Sequence, residues 1–181
     1  MKNKLKLYNV TDGYIDYLQA VHKHVYSNKE DTRVNMRKYI GVVFRINNYK
    51  YFIPLSSPKE DDYIKEDNGD LRIRTDSFLI WRIISGTGIN SELRGTIRIA
   101  NMIPVPTSEL IEYNINEETD KKYKDLVEEE QEYIRKIADP LIKRAKIVYK
   151  NKTHNNPAYI YNYCLERMHN DWLQLVSNSF E

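Results

Sequence analysis

Residues 39–59, YIGVVFRINNYKYFIPLSSPK, limit the possible folds more than any other stretch of the chain. Ile40, Val42, Val43 and Phe44 make one run of β-branched and aromatic residues, and Tyr49, Tyr51, Phe52 and Ile53 make a second. Both suit a pleated, partly buried surface. Asn47-Asn48 between them tolerates the positive φ of a tight hairpin turn. Pro54 has no N–H to give and is expected to end the ladder. Leu55-Ser56-Ser57-Pro58-Lys59 is then expected to leave the sheet as a stiff loop. Its two hydroxyls and one ammonium, held between prolines, suit the handling of a phosphate.

The remaining chain supplies material to cover such a hairpin. Residues 4–9 alternate Lys with Leu and read as a half-exposed strand. Thr11 is placed to cap a helix running to about Val25, with Tyr14, Ile15, Tyr17, Leu18, Val21 and Val25 on one stripe. His22 and His24 on that helix are two apart, so they point in different directions and do not make a metal pair. Residues 26–38 form a polar connection bearing Lys29, Arg33, Arg37 and Lys38. Residues 60–70 are acidic and turn-rich. Residues 71–84, LRIRTDSFLIWRII, read as a strand whose second half is buried on both faces, or as a strand followed by a short buried helix over 77–84. Residues 95–100 are a two-period strand, the prolines of 102–106 confine that stretch to an edge or a loop, and 108–113 read as a short strand or turn.

From Asp120 the apolar period becomes helical, with Tyr123, Leu126, Val127, Tyr133, Ile134 and Ile137 in register. Asp139-Pro140 opens a second helix. Its polar face carries Lys143, Arg144, Lys146 and Lys150. A last helix spans about 158–176. The expected class is α+β: a strongly twisted, mostly antiparallel sheet surrounded by helices, as one domain over residues 1–181.

Net charge is only +2, but its distribution is uneven. Residues 1–59 hold eleven Lys/Arg against four Asp/Glu, the same third that contains the hairpin and its polar loop. Two readings are open: a solvated Lys-rich surface, or a nucleic-acid partner. The lone Cys164 excludes an internal disulfide and, with no apolar run long enough to span a membrane, fits a cytoplasmic protein. C-x-x-C, H-E-x-x-H, a Walker loop and a G-x-S-x-G elbow are all missing, so zinc hydrolase, P-loop and α/β-hydrolase chemistry lose their usual support. A polar Ser-Ser-Pro-Lys corner is suited to RNA cleavage without a metal, in which a fixed cation stabilises charge gathering on the phosphate. The residues do not assign the general base.

The segments IGVVFRI…YKYFIPLSSPK, then GTIRIANMIPVP, then KYKDLVEEEQEYIRK resemble, in this order, the ToxN/AbiQ family of type III toxin–antitoxin endoribonucleases. The resemblance runs from about Leu5 to Tyr149. It implies a Kid/MazF-like core, cofactor-free and metal-independent cleavage to a 2′,3′-cyclic phosphate and a 5′-OH, and abortive defence against phage. It also implies a small repeated antitoxin RNA, processed by the toxin and bound to it in a closed assembly, besides cellular or phage RNA as substrate. Carried onto this chain, the resemblance makes Lys59, Ser57, Ser56 and Arg37 the catalytic group. Lys38, Arg33 and the α-helical Lys143, Arg144, Lys146 and Lys150 are the expected RNA contacts. The family has a Tyr where, counting back from Ile40-Gly41, this chain has Arg33; Tyr39 and Tyr26 are the two phenols able to replace it. A non-catalytic RNA-binding module is the alternative reading.

Overall fold

The computed structural model describes residues 5–28, 36–153 and 159–179. Along the chain run β1 (Lys6–Val10), α1 (Asp12–Val21), β2 (Tyr39–Ile46), β3 (Tyr49–Ser56), β4 (Tyr63–Lys65), β5 (Leu71–Ile73), β6 (Ile80–Ser85), β7 (Glu92–Arg98), β8 (Ile103–Pro104) and β9 (Leu110–Glu112). Three helices follow: α2 (Lys121–Lys136), α3 (Ala138–Thr153) and α4 (Tyr159–Asn178). The main sheet has seven strands in the order β6-β7-β3-β2-β1-β9, with β8 also paired to β3; β4 and β5 form a separate hairpin. Every pairing is antiparallel. The fold is α+β, as expected.

β3 is the central strand because its two faces are both apolar. Tyr51, Ile53 and Leu55 point to one side and join Leu7, Ile40, Phe44 and Ile97 under the apolar stripes of α2 and α3. Phe52 points to the other side, with Tyr39, Val10 and Ile103 under α1 and α4. The period-2 alternation of one strand therefore feeds two cores, and helices cover both.

Asn47 turns the hairpin with φ 49°, as its side chain allows. Pro54 does not end the strand: it pairs with Tyr39, and β3 continues to Ser56. Leu55 N–H points toward β2, donating to Lys38 O at 2.8 Å, so the missing Pro54 N–H falls on the opposite edge. There the neighbour changes from β8, opposite Tyr51 and Phe52, to β7, opposite Leu55 and Ser56. The proline falls in the gap between these two partners, and no ladder bond is lost.

Three other expectations change. α1 stops at Val21, which is exposed, and the chain turns so that Val25 is buried separately. Residues 71–84 are two strands, not one, and Phe78, Leu79 and Ile84 are exposed, so the second half is not buried on both faces. The cause is partner choice: β5 pairs with β4, whereas β6 pairs with β7. Residues 108–113 resolve to the short edge strand β9.

The register between β2 and β3 slips after Ile40–Ile53, the next pair being Phe44–Tyr51, so residues 41–43 face Phe52 alone. At this bulge the Phe52 ring lies on the α-carbon of Gly41, where any Cβ would overlap it. Because Phe52 is fully buried, it has nowhere to move. Gly41→Ala is expected to lower stability by about 2 kcal/mol in urea unfolding, and Phe52→Leu in the same chain is expected to recover part of that loss.

Candidate active site

The last rung of the hairpin brings Arg37 to the start of the polar loop. Arg37 Nη1 donates to Leu55 O at 2.7 Å and its Nε to Ser27 O at 3.1 Å. Its side chain is only 1% exposed. Tyr26 lies against it, the ring centroid 4.6 Å from Arg37 Cζ, and Lys59 Nζ is 5.4 Å from the same centroid. Two cations thus share one aromatic ring, a favourable arrangement for the positive charges and one that fixes their spacing. The segment bearing Tyr26 is tied down on both sides. Gln19 Nε2 donates to Val25 O at 2.9 Å, Asn101 Nδ2 to His24 O at 2.9 Å, and Asn28 Nδ2 to Val10 O at 2.7 Å.

The two serines take different roles. Ser57 is exposed and Ser56 buried, the Ser56 hydroxyl donating to Ser57 O at 3.2 Å. Ser56 therefore braces the loop, and of the two expected phosphate-facing residues Ser57 is the exposed one. Lys59 is exposed, and among the described residues no carboxylate forms an ion pair with it. Arg37 is buried against the Tyr26 ring. Tyr39 is buried in the α1–α4 core. Of the two phenols that the sequence left open, Tyr26 is the one at the site.

A buried ionic cluster lies beneath the loop. Asp62 Oδ2 accepts from the Lys59 backbone N–H at 3.0 Å, and Asp62 N–H donates to Lys59 O at 2.9 Å. The same carboxylate accepts from Arg82 Nη2 at 3.0 Å and from Arg98 Nη2 at 2.9 Å. The Asp62, Arg82 and Arg98 side chains are 1%, 4% and 9% exposed. Arg98 Nε donates to Thr96 Oγ1 at 2.9 Å, and the Thr96 hydroxyl donates to Ser56 O at 3.3 Å. The sequence reading missed this cluster. A usable signal was present: one arginine inside each apolar strand, IWRII and GTIRIA, calls for a buried counter-charge.

Lys38, expected as an RNA contact, is turned into the protein. Its ammonium is buried, donates to Asn9 Oδ1 at 2.9 Å and lies 4.1 Å from the Tyr113 ring centroid. Burial lowers its pKa, opposed by Glu118 and Glu130. Glu130 of α2 fills the space over Gly95, and burial pushes its carboxyl up to about 7 against a smaller opposing pull from Lys38. Arg33 lies outside the described residues. Lys143, Lys146 and Lys150 are exposed on α3, in the helical layer that covers Tyr51, Ile53 and Leu55, and make a second basic surface. Arg144 is half-buried, its guanidinium 4.1 Å from the Trp81 ring centroid and Nη1 donating to Ser77 O at 3.2 Å. Part of its binding capacity is therefore used within the protein. Among the described residues, no group of three or more metal-ligating side chains comes together, and no helix is long and apolar enough to cross a membrane.

A family model for "Toxin ToxN, type III toxin-antitoxin system" matches residues 6–169. The chain belongs to the ToxN family. Similar ToxN-family proteins include endoribonuclease AbiQ of Lactococcus lactis subsp. lactis, 31% identical over 159 residues, covering 88% of this chain and 81% of that one. Endoribonuclease ToxN of Bacillus thuringiensis subsp. kurstaki is 29% identical over 84% of this chain and 71% of its own. The solved structure of AbiQ, a lactococcal anti-phage endoribonuclease, superposes with TM-score 0.73 at 27% identity over 95% of this chain and 99% of that chain. A second solved type III toxin, inhibited by a non-coding RNA pseudoknot, superposes with TM-score 0.76 at 24% identity over 94% and 98%. These similarities extend the shared fold to the C-terminal helix, where the sequence resemblance was weakest.

Glu130 gives this ToxN-family fold a measurable pH dependence. Its folded pKa of about 7 lies above the ordinary carboxylate value, so the folded state holds a proton that the unfolded chain has already lost. Its contribution is complete below about pH 4.5 and disappears as pH rises through 7. Glu130→Gln is expected to leave stability near pH 5 little changed and to raise it near pH 8 by up to about 3 kcal/mol, read from urea unfolding at both pH values.

Proposed function

We propose that this chain is an endoribonuclease toxin, working as one cytoplasmic domain, that cleaves RNA by attack of a ribose 2′-OH on the adjoining phosphate. The products are a 2′,3′-cyclic phosphate and a 5′-OH, and the reaction uses no metal. The observation that carries this reading is the trio of Tyr26, Arg37 and Lys59, with the exposed Ser57 two residues before Lys59. Membership of the ToxN family and the printed activities of AbiQ and ToxN relatives support it.

Each group has a task set by where it sits. In the transition state negative charge gathers on the non-bridging oxygens, and the Lys59 ammonium is the exposed cation that meets it. Ser57 donates to the same phosphate and fixes its orientation. Arg37 is buried against the Tyr26 ring, and its two backbone bonds hold the loop's entry. Tyr26 relays a proton, taking it from the attacking 2′-OH as it gives its own to the leaving 5′-oxygen. The exposed lysines of α3 and the basic N-terminal third hold a small structured antitoxin RNA of the kind that inhibits the solved relative.

Incubation of purified protein with total RNA in EDTA tests the proposal. Wild type should give discrete fragments with cyclic-phosphate ends. Lys59→Ala should slow cleavage by about a hundredfold or more, and Tyr26→Phe by about ten- to a hundredfold, with RNA affinity little changed. RNA that is retained in a salt-sensitive way but never cut by wild type would favour the non-catalytic binding module.

A further inference from the structure

The reach of Lys59 depends on more than its own side chain. Its ammonium ends a flexible stem, so the ammonium can be fixed against a phosphate only as well as the backbone beneath it is held. That backbone is gripped twice by one residue: Asp62 Oδ2 takes the Lys59 N–H, and Asp62 N–H bonds Lys59 O. Asp62 is in turn immobile, because its two oxygens are divided between Arg82 and Arg98, from β6 and β7. Arg98 then continues through Thr96 to the carbonyl of Ser56, three residues before Lys59. Both ends of the 56–59 loop are thereby fastened to one buried carboxylate. Arg82 is fastened further, Nη1 donating to Thr75 O at 2.6 Å and its backbone N–H to Asp76 Oδ1 at 2.7 Å.

The cluster also has an unbalanced charge. One carboxylate faces two guanidinium groups, and the exposed Asp76 meets a backbone N–H instead of a guanidinium. The net positive charge is buried under the loop, where water screens it little.

We propose that Asp62, acting through Arg82, Arg98 and Thr96, is the positioning residue for cleavage: it sets the Lys59 backbone, and so the place where the ammonium meets the scissile phosphate, while the paired arginines keep the ground beneath the loop positive. This inference rests on the endoribonuclease reading. Asp62 touches no substrate atom.

The test compares single-turnover cleavage and RNA affinity for wild type, Asp62→Asn, Lys59→Ala and the double variant, at a temperature where circular dichroism shows each to be folded. Asp62→Asn should cleave about thirtyfold more slowly with its RNA dissociation constant changed by less than about threefold. Because the two residues act as one unit, the double variant should be no more than about threefold slower than Lys59→Ala alone. Val148→Ala, destabilised in the α3 core, should cleave at the wild-type rate. A folded Asp62→Asn within about threefold of wild type, losses that multiply in the double variant, or an equal loss in Val148→Ala would each overturn the proposal. If Asp62→Asn does not fold, Thr96→Val takes its place, with about a fivefold slower rate at unchanged affinity expected and an unchanged rate counting against. A wild type that cuts no RNA would refute the endoribonuclease reading; the grip on Lys59 is then read by hydrogen exchange. Asp62→Asn should speed exchange of the Lys59 amide by about tenfold or more, and equal rates would overturn the grip itself.

Discussion

The Asp62 carboxylate is the interaction on which the rest of the site depends. Two strands, β6 and β7, each place an arginine where an apolar side chain would ordinarily be, and the single carboxylate offsets much of that electrostatic cost. Such a cluster adds little net stability compared with apolar packing, yet losing the carboxylate would leave two buried cations unpaired. What it provides is direction. It joins the β6–β7 half of the sheet to the loop that leaves β3, so that the position of Lys59 is fixed by the sheet and not by the loop's own sequence.

The central place of β3 follows from the same logic. It is bounded by β2 along one edge and by β8 and β7 on the other, and both of its faces are packed under helices. A strand so enclosed is among the most rigid elements a small fold can offer. Reactive groups at its exit inherit that rigidity while remaining open to a long substrate such as RNA. Arg37 and Tyr26 approach from the other direction, before β2 and after α1, and meet at the same end. The site is therefore assembled from three stretches of chain that converge on one edge of one strand.

Much of this was legible in the residues, for identifiable reasons. The β2–β3 hairpin, the Asn47 turn and the helices after Asp120 follow from local pattern, which needs no knowledge of partners. Pro54 misled because a lone sequence cannot show that one edge of β3 has a gap between its neighbours. Residues 71–84 misled because continuous apolar character resembles two-sided burial, whereas the stretch splits between two sheets and exposes Phe78 and Leu79. At the site, Lys59 and Ser57 were visible as a motif. The inward turn of Ser56, the burial of Lys38 and the reach of Asp62 to Arg82 and Arg98 depend on contacts 20 or more residues apart or on which face a strand presents. Sequence spacing does not record these.

In the proposed complex a ribose phosphate sits against the Lys59 ammonium and the Ser57 hydroxyl, with the Tyr26 ring alongside. A crystal structure of the protein bound to an RNA oligonucleotide carrying a single 2′-deoxy nucleotide at the cut site, which cannot be cleaved there, tests it most directly. The expected result is a non-bridging oxygen of that phosphate about 3 Å from both Lys59 Nζ and Ser57 Oγ, with Arg37 still bonded to Leu55 O. A scissile phosphate bound elsewhere, with Lys59 in solvent and the 56–59 loop empty, would contradict it.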